Sequence, residues 1–225
     1  GKKHLEVSGM GDAQSVELLC GAEAVDLVRV SNYMARNGRC PNFSRCVENG
    51  TLKTEDYSHF GITNRFFAAA MGIPFMPVKV MIGSDMSRIQ RIDAGTKIRE
   101  IEDPFTGERC GIMPALSPDF AIIQVARADE LGNCQLYGIT SSIEIIARAA
   151  KHVIVTAEEI VSTDEIRRTN QYTILPSFFV DHVVHCPFGA YPGGVYTYYD
   201  YDLEHLALIT RSGKKPETMR QYLNE

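Results

Sequence analysis

With 225 residues, 44% of them apolar, the chain can bury one sizeable core, which excludes a disordered tail protein. Its 23 basic and 28 acidic side chains give a net charge of −5, with no basic footprint for nucleic acid. No run approaches the ~18 apolar residues of a membrane helix, and the six cysteines are scattered without a C-x-x-C pair, as in a cytoplasmic protein with reduced thiols.

In chain order, Gly1-Lys2-Lys3-His4-Leu5 lacks the apolar stretch of a signal peptide. Leu5–Val7 and Leu27–Val30 read as strands, with a helix over Gln14–Cys20 between them. Phe43–Val47 and Ile62–Met71 read as helices, the second stopped by Gly72. Phe75–Ile82 and Phe120–Val125 read as buried strands. The charged stretch from Gly83 to Pro114 reads as a long loop plus a hairpin turn at Asp103-Pro104-Phe105-Thr106-Gly107. Ser141 and Glu144 have the spacing of a capping box, and Ile143, Ile146, Ala147 and Ala150 supply the apolar face of the helix that follows. Val153–Thr156 and Phe178–His185 read as strands, and Lys214–Glu225 as a polar surface helix. Strand, helix and strand joined by short links predict an α/β fold: an open, mostly parallel sheet flanked by helices, in a single domain over residues 1–225.

Gly9-Met10-Gly11 begins like a dinucleotide fingerprint. The third glycine position is Gln14, so a tight strand-to-helix turn is the better reading. His182 and His185 lie three apart on a predicted strand and point to opposite faces, so no metal site is expected. Glu158-Glu159 fits the acidic first turn of a helix better than an acid–base pair. Gly83-Ser84-Asp85 follows a predicted strand and suits a simple turn as well as a ligand loop. Ser31-Asn32 ends a strand, and Gly38 to Phe43 leads into a helix N-terminus through Pro41, which fits an anion site or an ordinary helix start.

Several segments, in order, resemble the α subunit of glutaconate CoA-transferase and its relatives among the family I CoA-transferases. They are Gly38–Phe43 running to Glu55-Asp56-Tyr57-Ser58, and Ala68–Pro77 continuing to Gly83-Ser84-Asp85. Asp103-Pro104-Phe105, Asp119–Gln124 through Asp129 and Gly138, and Val155–Ile160 with Glu165–Arg168 follow. Val180-Asp181, Pro187–Ala190 and Tyr199–Asp202 complete the set. No single segment is specific; together they are.

The resemblance implies a NagB/RpiA-like α/β fold and a heteromeric enzyme that moves CoA between an acyl-CoA and a carboxylic acid. It implies a ping-pong reaction through a glutamyl-CoA thioester. The glutamate is expected on a β subunit, so no catalytic nucleophile is expected in this chain. Val47-Glu48-Asn49-Gly50 mimics three letters of the family's Ser-Glu-Asn-Gly motif, but it reads as a helix end with Gly50 as its stop. Loop position and family position together nominate Ser31, Asn32, Gly38, Asn42, Gly83, Ser84 and Asp85 for substrate and CoA binding. CoA is expected as a substrate, with no permanently bound cofactor. The family's glycine-rich first strand–helix unit is expected upstream of Gly1.

A neighbouring branch of the family opens a ring in steroid-derived CoA esters by hydrolysis. Its α subunit carries an acid in the turn that here reads Tyr57-Ser58-His59-Phe60, which has none. Transferase is therefore preferred over that hydrolase. A non-catalytic sugar-phosphate sensor on the same fold is the third reading, and the chain shows no helix-turn-helix segment to support it.

Overall fold

The computed structural model describes residues 4–9, 13–35, 38–88 and 97–224. Met10 and Gly11 of the glycine turn, and part of the long charged loop, lie outside them. The chain divides into two compact units: Gly1–Arg65 with Phe75–Pro114 and Leu203–Glu225, and Phe66–Pro74 with Ala115–Asp202.

The first unit holds a parallel sheet in the order β1 (Leu5–Gly9), β2 (Val25–Val30), β3 (Lys53–Asp56). Val28 pairs with Val7 on one side and Thr54 on the other. Because all three strands run the same way, Gly9, Val30 and Asp56 end at one carboxyl edge. Helices α1 (Ala13–Gly21) and α2 (Pro41–Glu48) connect the strands. Val16 and Cys20 of α1 close a core with Val25, Val28, Val30 and Leu52. That burial is the main source of the unit's stability. Pro41 opens α2, where its missing N–H costs nothing. Gly50 ends it at φ +71°, with its N–H on the Val47 carbonyl.

Helix α3 (His59–Ala70) leaves β3 and stops as expected at Gly72, whose φ is +69°. Strands β4 (Phe75–Val78), β5 (Arg99–Glu102) and β6 (Arg109–Pro114) form an antiparallel sheet ordered β4-β6-β5. The predicted Phe75–Ile82 strand therefore ends at Val78, while the hairpin turn is present. The Asp103 carboxylate accepts from the Phe105 N–H and the Thr106 hydroxyl, both at 2.9 Å. Helices α6 (Leu203–Ser212) and α7 (Pro216–Asn224) complete this unit. The C-terminal surface helix was expected; its Met219 is nonetheless buried.

The second unit is built on a five-stranded sheet ordered β10 (Thr173–Leu175), β8 (Cys134–Gln135), β7 (Phe120–Ala128), β9 (His152–Ile160), β11 (His182–His185). The last three strands run parallel, and β8 runs antiparallel to both of its neighbours. Ala121, Ile123, Val125, Val153, Val155 and Ala157 face a core closed by α4 (Ile143–Ala149).

Three expectations are corrected in this unit. Ser141 forms no capping box: Ser142 precedes α4 without a side-chain cap, and Glu144 pairs with Arg148 instead. The capping box lies at Ser162 and Glu165, at the start of α5 (Thr163–Arg168). Glu158 and Glu159 stand inside β9 rather than in a helix turn, because pairing with β7 continues to Ile160. Phe178–His185 is not one strand but a short 3-10 turn, Ser177–Phe179, followed by β11.

Candidate functional site

Ligands of open α/β sheets bind outside the carboxyl ends of parallel strands. In the first unit that edge carries Ser31 after β2 and Tyr57-Ser58-His59 after β3. The Tyr57 N–H bonds the Val30 carbonyl at 2.9 Å and holds the two exits together. Ser58 accepts the Gly61 N–H on its hydroxyl at 2.9 Å and so caps α3. His59, the first residue of α3, meets the Ser31 hydroxyl through Nδ1 at 2.5 Å. His59 is exposed and Ser31 half-buried.

The nominated residues fall into three places. Ser31, exposed Asn32 and Gly38 belong to one loop, and Gly38 takes φ +118° with its N–H on the Ala35 carbonyl. Gly83, Ser84 and Asp85 form a separate turn. Gly83 has φ +76° and open space where a Cβ would stand, while the Ser84 hydroxyl folds back on the Met81 carbonyl at 2.6 Å. Asn42 is buried. Its N–H reaches Glu17 Oε1 at 2.7 Å, its Oδ1 accepts from Arg45, and its Nδ2 is buried without a partner.

Beneath the carboxyl edge lies a buried polar cluster that the sequence did not announce. Glu55 on β3 accepts from Arg29 Nε and from the Tyr57 hydroxyl, each at 3.0 Å. Arg65 on α3 donates to the Tyr57 oxygen at 2.5 Å and to the Pro114 carbonyl at 2.9 Å. Lys97, only 1% exposed, lies 5.1 Å from the Tyr57 ring centroid. Burial pushes the Tyr57 phenol up and lowers Arg65. Three cations thus gather around Tyr57 and buried Glu55, with Glu6 pairing the outer side of Arg29 at 2.9 Å, so these groups together carry one excess positive charge, which favours an anion at the edge.

The second unit carries a different arrangement. Buried Glu158 accepts from Gln124 Nε2 at 2.7 Å, the Tyr199 hydroxyl at 2.6 Å and the Phe188 N–H at 2.7 Å. Burial, and then the bond to Glu158, push Tyr199 up to about 12. Glu159 takes Arg127 Nε and the Tyr198 hydroxyl, each at 3.0 Å. The two carboxylates thereby pin the segment from Pro187 to Asp202 beside a cleft of about 840 Å³ lined by Tyr137, Ile139, Tyr196 and Tyr199. In the sequence Glu158-Glu159, Pro187–Ala190 and Tyr199–Asp202 each stood out, but nothing there joined them. Among the described residues, no group of three or more metal-ligating side chains occurs, and no helix is long and apolar enough to cross a membrane.

Comparison with known proteins shows the family. The family profile described as coenzyme A transferase matches residues 3–186. The α subunit of glutaconate CoA-transferase from Acidaminococcus fermentans is 36% identical over 194 residues, covering 81% of this chain. The corresponding subunit of 3-oxoadipate CoA-transferase from Pseudomonas knackmussii is 30% identical over 229 residues, covering all of this chain and 79% of that one. The crystal structure of glutaconate coenzyme A-transferase from Acidaminococcus fermentans superposes with a TM-score of 0.88 at 31% identity, covering 97% of this chain and 74% of that one. The chain spans 61% of the length of the glutaconate CoA-transferase subunit, and 50% of an Archaeoglobus fulgidus relative that is 36% identical to it. With the profile matching residues 3–186 and these likenesses along nearly its whole length, the chain belongs to the coenzyme A transferase family.

Proposed function

We propose that this chain is the α subunit of a two-subunit enzyme that transfers CoA from an acyl-CoA to a carboxylic acid. The carboxylate of a β-subunit glutamate attacks the thioester carbonyl, and the tetrahedral intermediate expels CoA thiolate to leave an acyl-glutamyl anhydride. The thiolate then attacks the glutamyl carbonyl, giving a glutamyl-CoA thioester and releasing the first acid. The second acid takes the CoA by the reverse steps. Anhydride and thioester are close in energy, so no ATP is required. Negative charge builds on the carbonyl oxygen at each step, and fixed donors lower that barrier. Ser31 and Asn32 supply this chain's donors, Gly38 turns the loop that carries them, and Gly83-Ser84-Asp85 lies against the CoA chain.

The observation that carries this reading is the joining of the β2 and β3 exits, Ser31 to His59, above the Arg29–Glu55–Tyr57–Arg65 cluster. Glu48 does not serve as nucleophile in it: that residue is exposed and is the last of α2, followed by the Gly50 stop and not by a strand's carboxyl end.

The β subunit covers the exposed part of one face of the second unit's sheet. Parallel sheets are normally covered on both faces, yet Ile122 is 75% exposed and Phe120 61%, with Val184 of β11 exposed on the same face.

The test is co-expression of the full-length gene with its neighbouring reading frame, followed by CoA transfer from acetyl-CoA to a panel of carboxylic acids with borohydride trapping. Transfer with a trapped glutamate on the second chain supports the reading. A stable complex that releases free CoA without transfer overturns it in favour of hydrolysis.

A further inference from the structure

In the second unit, Val195 and Tyr199 exchange backbone hydrogen bonds in both directions at 3.1 Å and close a turn whose tip is Tyr196, Thr197 and Tyr198. Thr197 is β-branched yet sits at φ +74°, a strained conformation that persists only where the surrounding structure enforces it. The turn walls the cleft of about 840 Å³, a volume suited to a small molecule. Tyr137, Tyr196, Tyr198, Tyr199 and Tyr201 line it, and Asp200 is the only charged residue among the described residues of its lining.

The Tyr198 hydroxyl donates to Glu159 at 3.0 Å and accepts from Arg127 at 3.2 Å. The Tyr199 hydroxyl donates to Glu158 at 2.6 Å and accepts the Ala190 N–H at 3.1 Å. Burial raises both phenols, so both hydrogens stay on oxygen. With their oxygens engaged, these side chains leave ring surface for a ligand, and the carboxylate behind each phenol makes that ring richer in electrons. Tyr196 is 70% exposed and lies over Gly138, its Cδ1 and Cγ 3.6 and 3.7 Å from where a Cβ would stand.

The charges at the cleft are Asp200 in its wall, Glu158 and Glu159 behind the phenols, and Arg127 on Glu159. Three carboxylates against one guanidinium repel a phosphate or carboxylate ligand. A primary ammonium matches the charge but brings three N–H donors that need acceptors. A quaternary ammonium brings none and is held by ring faces.

We infer that this cleft binds a small quaternary ammonium ion, with the rings of Tyr196, Tyr198 and Tyr199 against its methyl groups and the Asp200 carboxylate balancing its charge. Such binding does not depend on CoA transfer and is measured without it.

The experiment is isothermal titration calorimetry on the full-length chain, alone and co-expressed with its neighbouring reading frame. Choline should bind saturably. 3,3-Dimethylbutan-1-ol has the same shape without the charge, and ethanolamine has the charge without the methyl groups; each should bind about 10-fold more weakly. Tyr196→Ala should weaken choline binding about 10-fold, whereas Tyr196→Phe, which keeps the ring, should leave it unchanged. Asp200→Asn keeps an oxygen to accept the Tyr201 N–H, now bound at 2.7 Å, and removes the charge, so it should weaken choline about 5-fold. The thermal transitions of these variants should match that of wild type. No saturable heat with choline overturns the inference, as does a neutral isostere or ethanolamine that binds as tightly as choline. Affinity unmoved by both Tyr196→Ala and Asp200→Asn overturns it by placing the cation elsewhere. Binding to the isolated chain that vanishes in the complex overturns it in favour of a segment of the second chain filling the cleft.

Discussion

The carboxylate of Glu17 on α1 receives the backbone N–H groups of Asn42 and Phe43 at 2.7 and 3.0 Å, so a side chain of one helix caps the N-terminus of another. Cys40 stands at the N-cap of α2 and offers no side-chain cap, and Pro41 has no N–H to satisfy. Glu17 supplies from across the unit what local sequence does not. Its replacement by glutamine puts an amide N–H₂ against a backbone donor. The expected cost is about 1–3 kcal/mol, read as a lower denaturation midpoint. Burial outweighs the hydrogen bonds and raises the Glu17 pKa above its ordinary 4.5. A raised folded-state value stabilises the fold below pH 4.5, and that contribution fades as pH climbs through the shifted value. The stability gap between wild type and Glu17→Gln should therefore narrow from pH 4 upward; a gap that widens would refute the assignment.

Tyr57→Phe removes one oxygen that both donates to Glu55 and accepts from Arg65. The cavity is negligible, so the loss is that of two buried hydrogen bonds to charged groups, about 2–4 kcal/mol in stability. Because Tyr57 also holds the loop exit at Val30 through its unaltered backbone N–H, the edge should keep its shape. Chemical denaturation should show the drop, while the histidine spectrum of His59 should stay in place.

What the sequence revealed depended on whether burial was apolar. β2, with Leu27, Val28 and Val30, was legible as a strand. β3 reads Lys-Thr-Glu-Asp and was not, because its inward residue, Glu55, is stabilised by Arg29 and Tyr57 and not by hydrophobicity. Glu158-Glu159 looked like a helix start because acidic pairs favour that position, and only the register with β7 shows β9 continuing through it. Ser141–Glu144 and Ser162–Glu165 share one spacing, and local sequence could not tell which of them forms a capping box. Ser31 was visible as a strand-end hydroxyl. Its partner was hidden, since 28 residues separate them and only strand adjacency brings them together.

Gly189 has no room for a side chain. An added Cβ would stand 2.2 Å from Gln124 Oε1 and 3.0 Å from the Cys186 carbonyl. Gly189→Ala should push Gln124 off Glu158 and loosen the segment from Pro187 to Asp202, which Glu158 holds through Phe188 and Tyr199. Limited proteolysis should cut this segment faster in the variant than in wild type. Equal rates would mean that Gln124 yields without disturbing the carboxylate.

Under the proposed assembly, Ile122 separates folding from docking of the second chain. It points away from the core formed by its neighbours Ala121 and Ile123, so a charge there meets solvent in the isolated chain. Ile122→Glu should change the stability of that chain by no more than about 0.5 kcal/mol, as for other exposed sites. In the complex the same carboxylate would be buried against the β subunit without a partner, at a cost of several kcal/mol. Co-purification of the two chains should fail while the variant's own thermal transition stays where it was. An intact complex would place the β subunit elsewhere and leave exposed Phe120, Ile122 and Val184 to another contact.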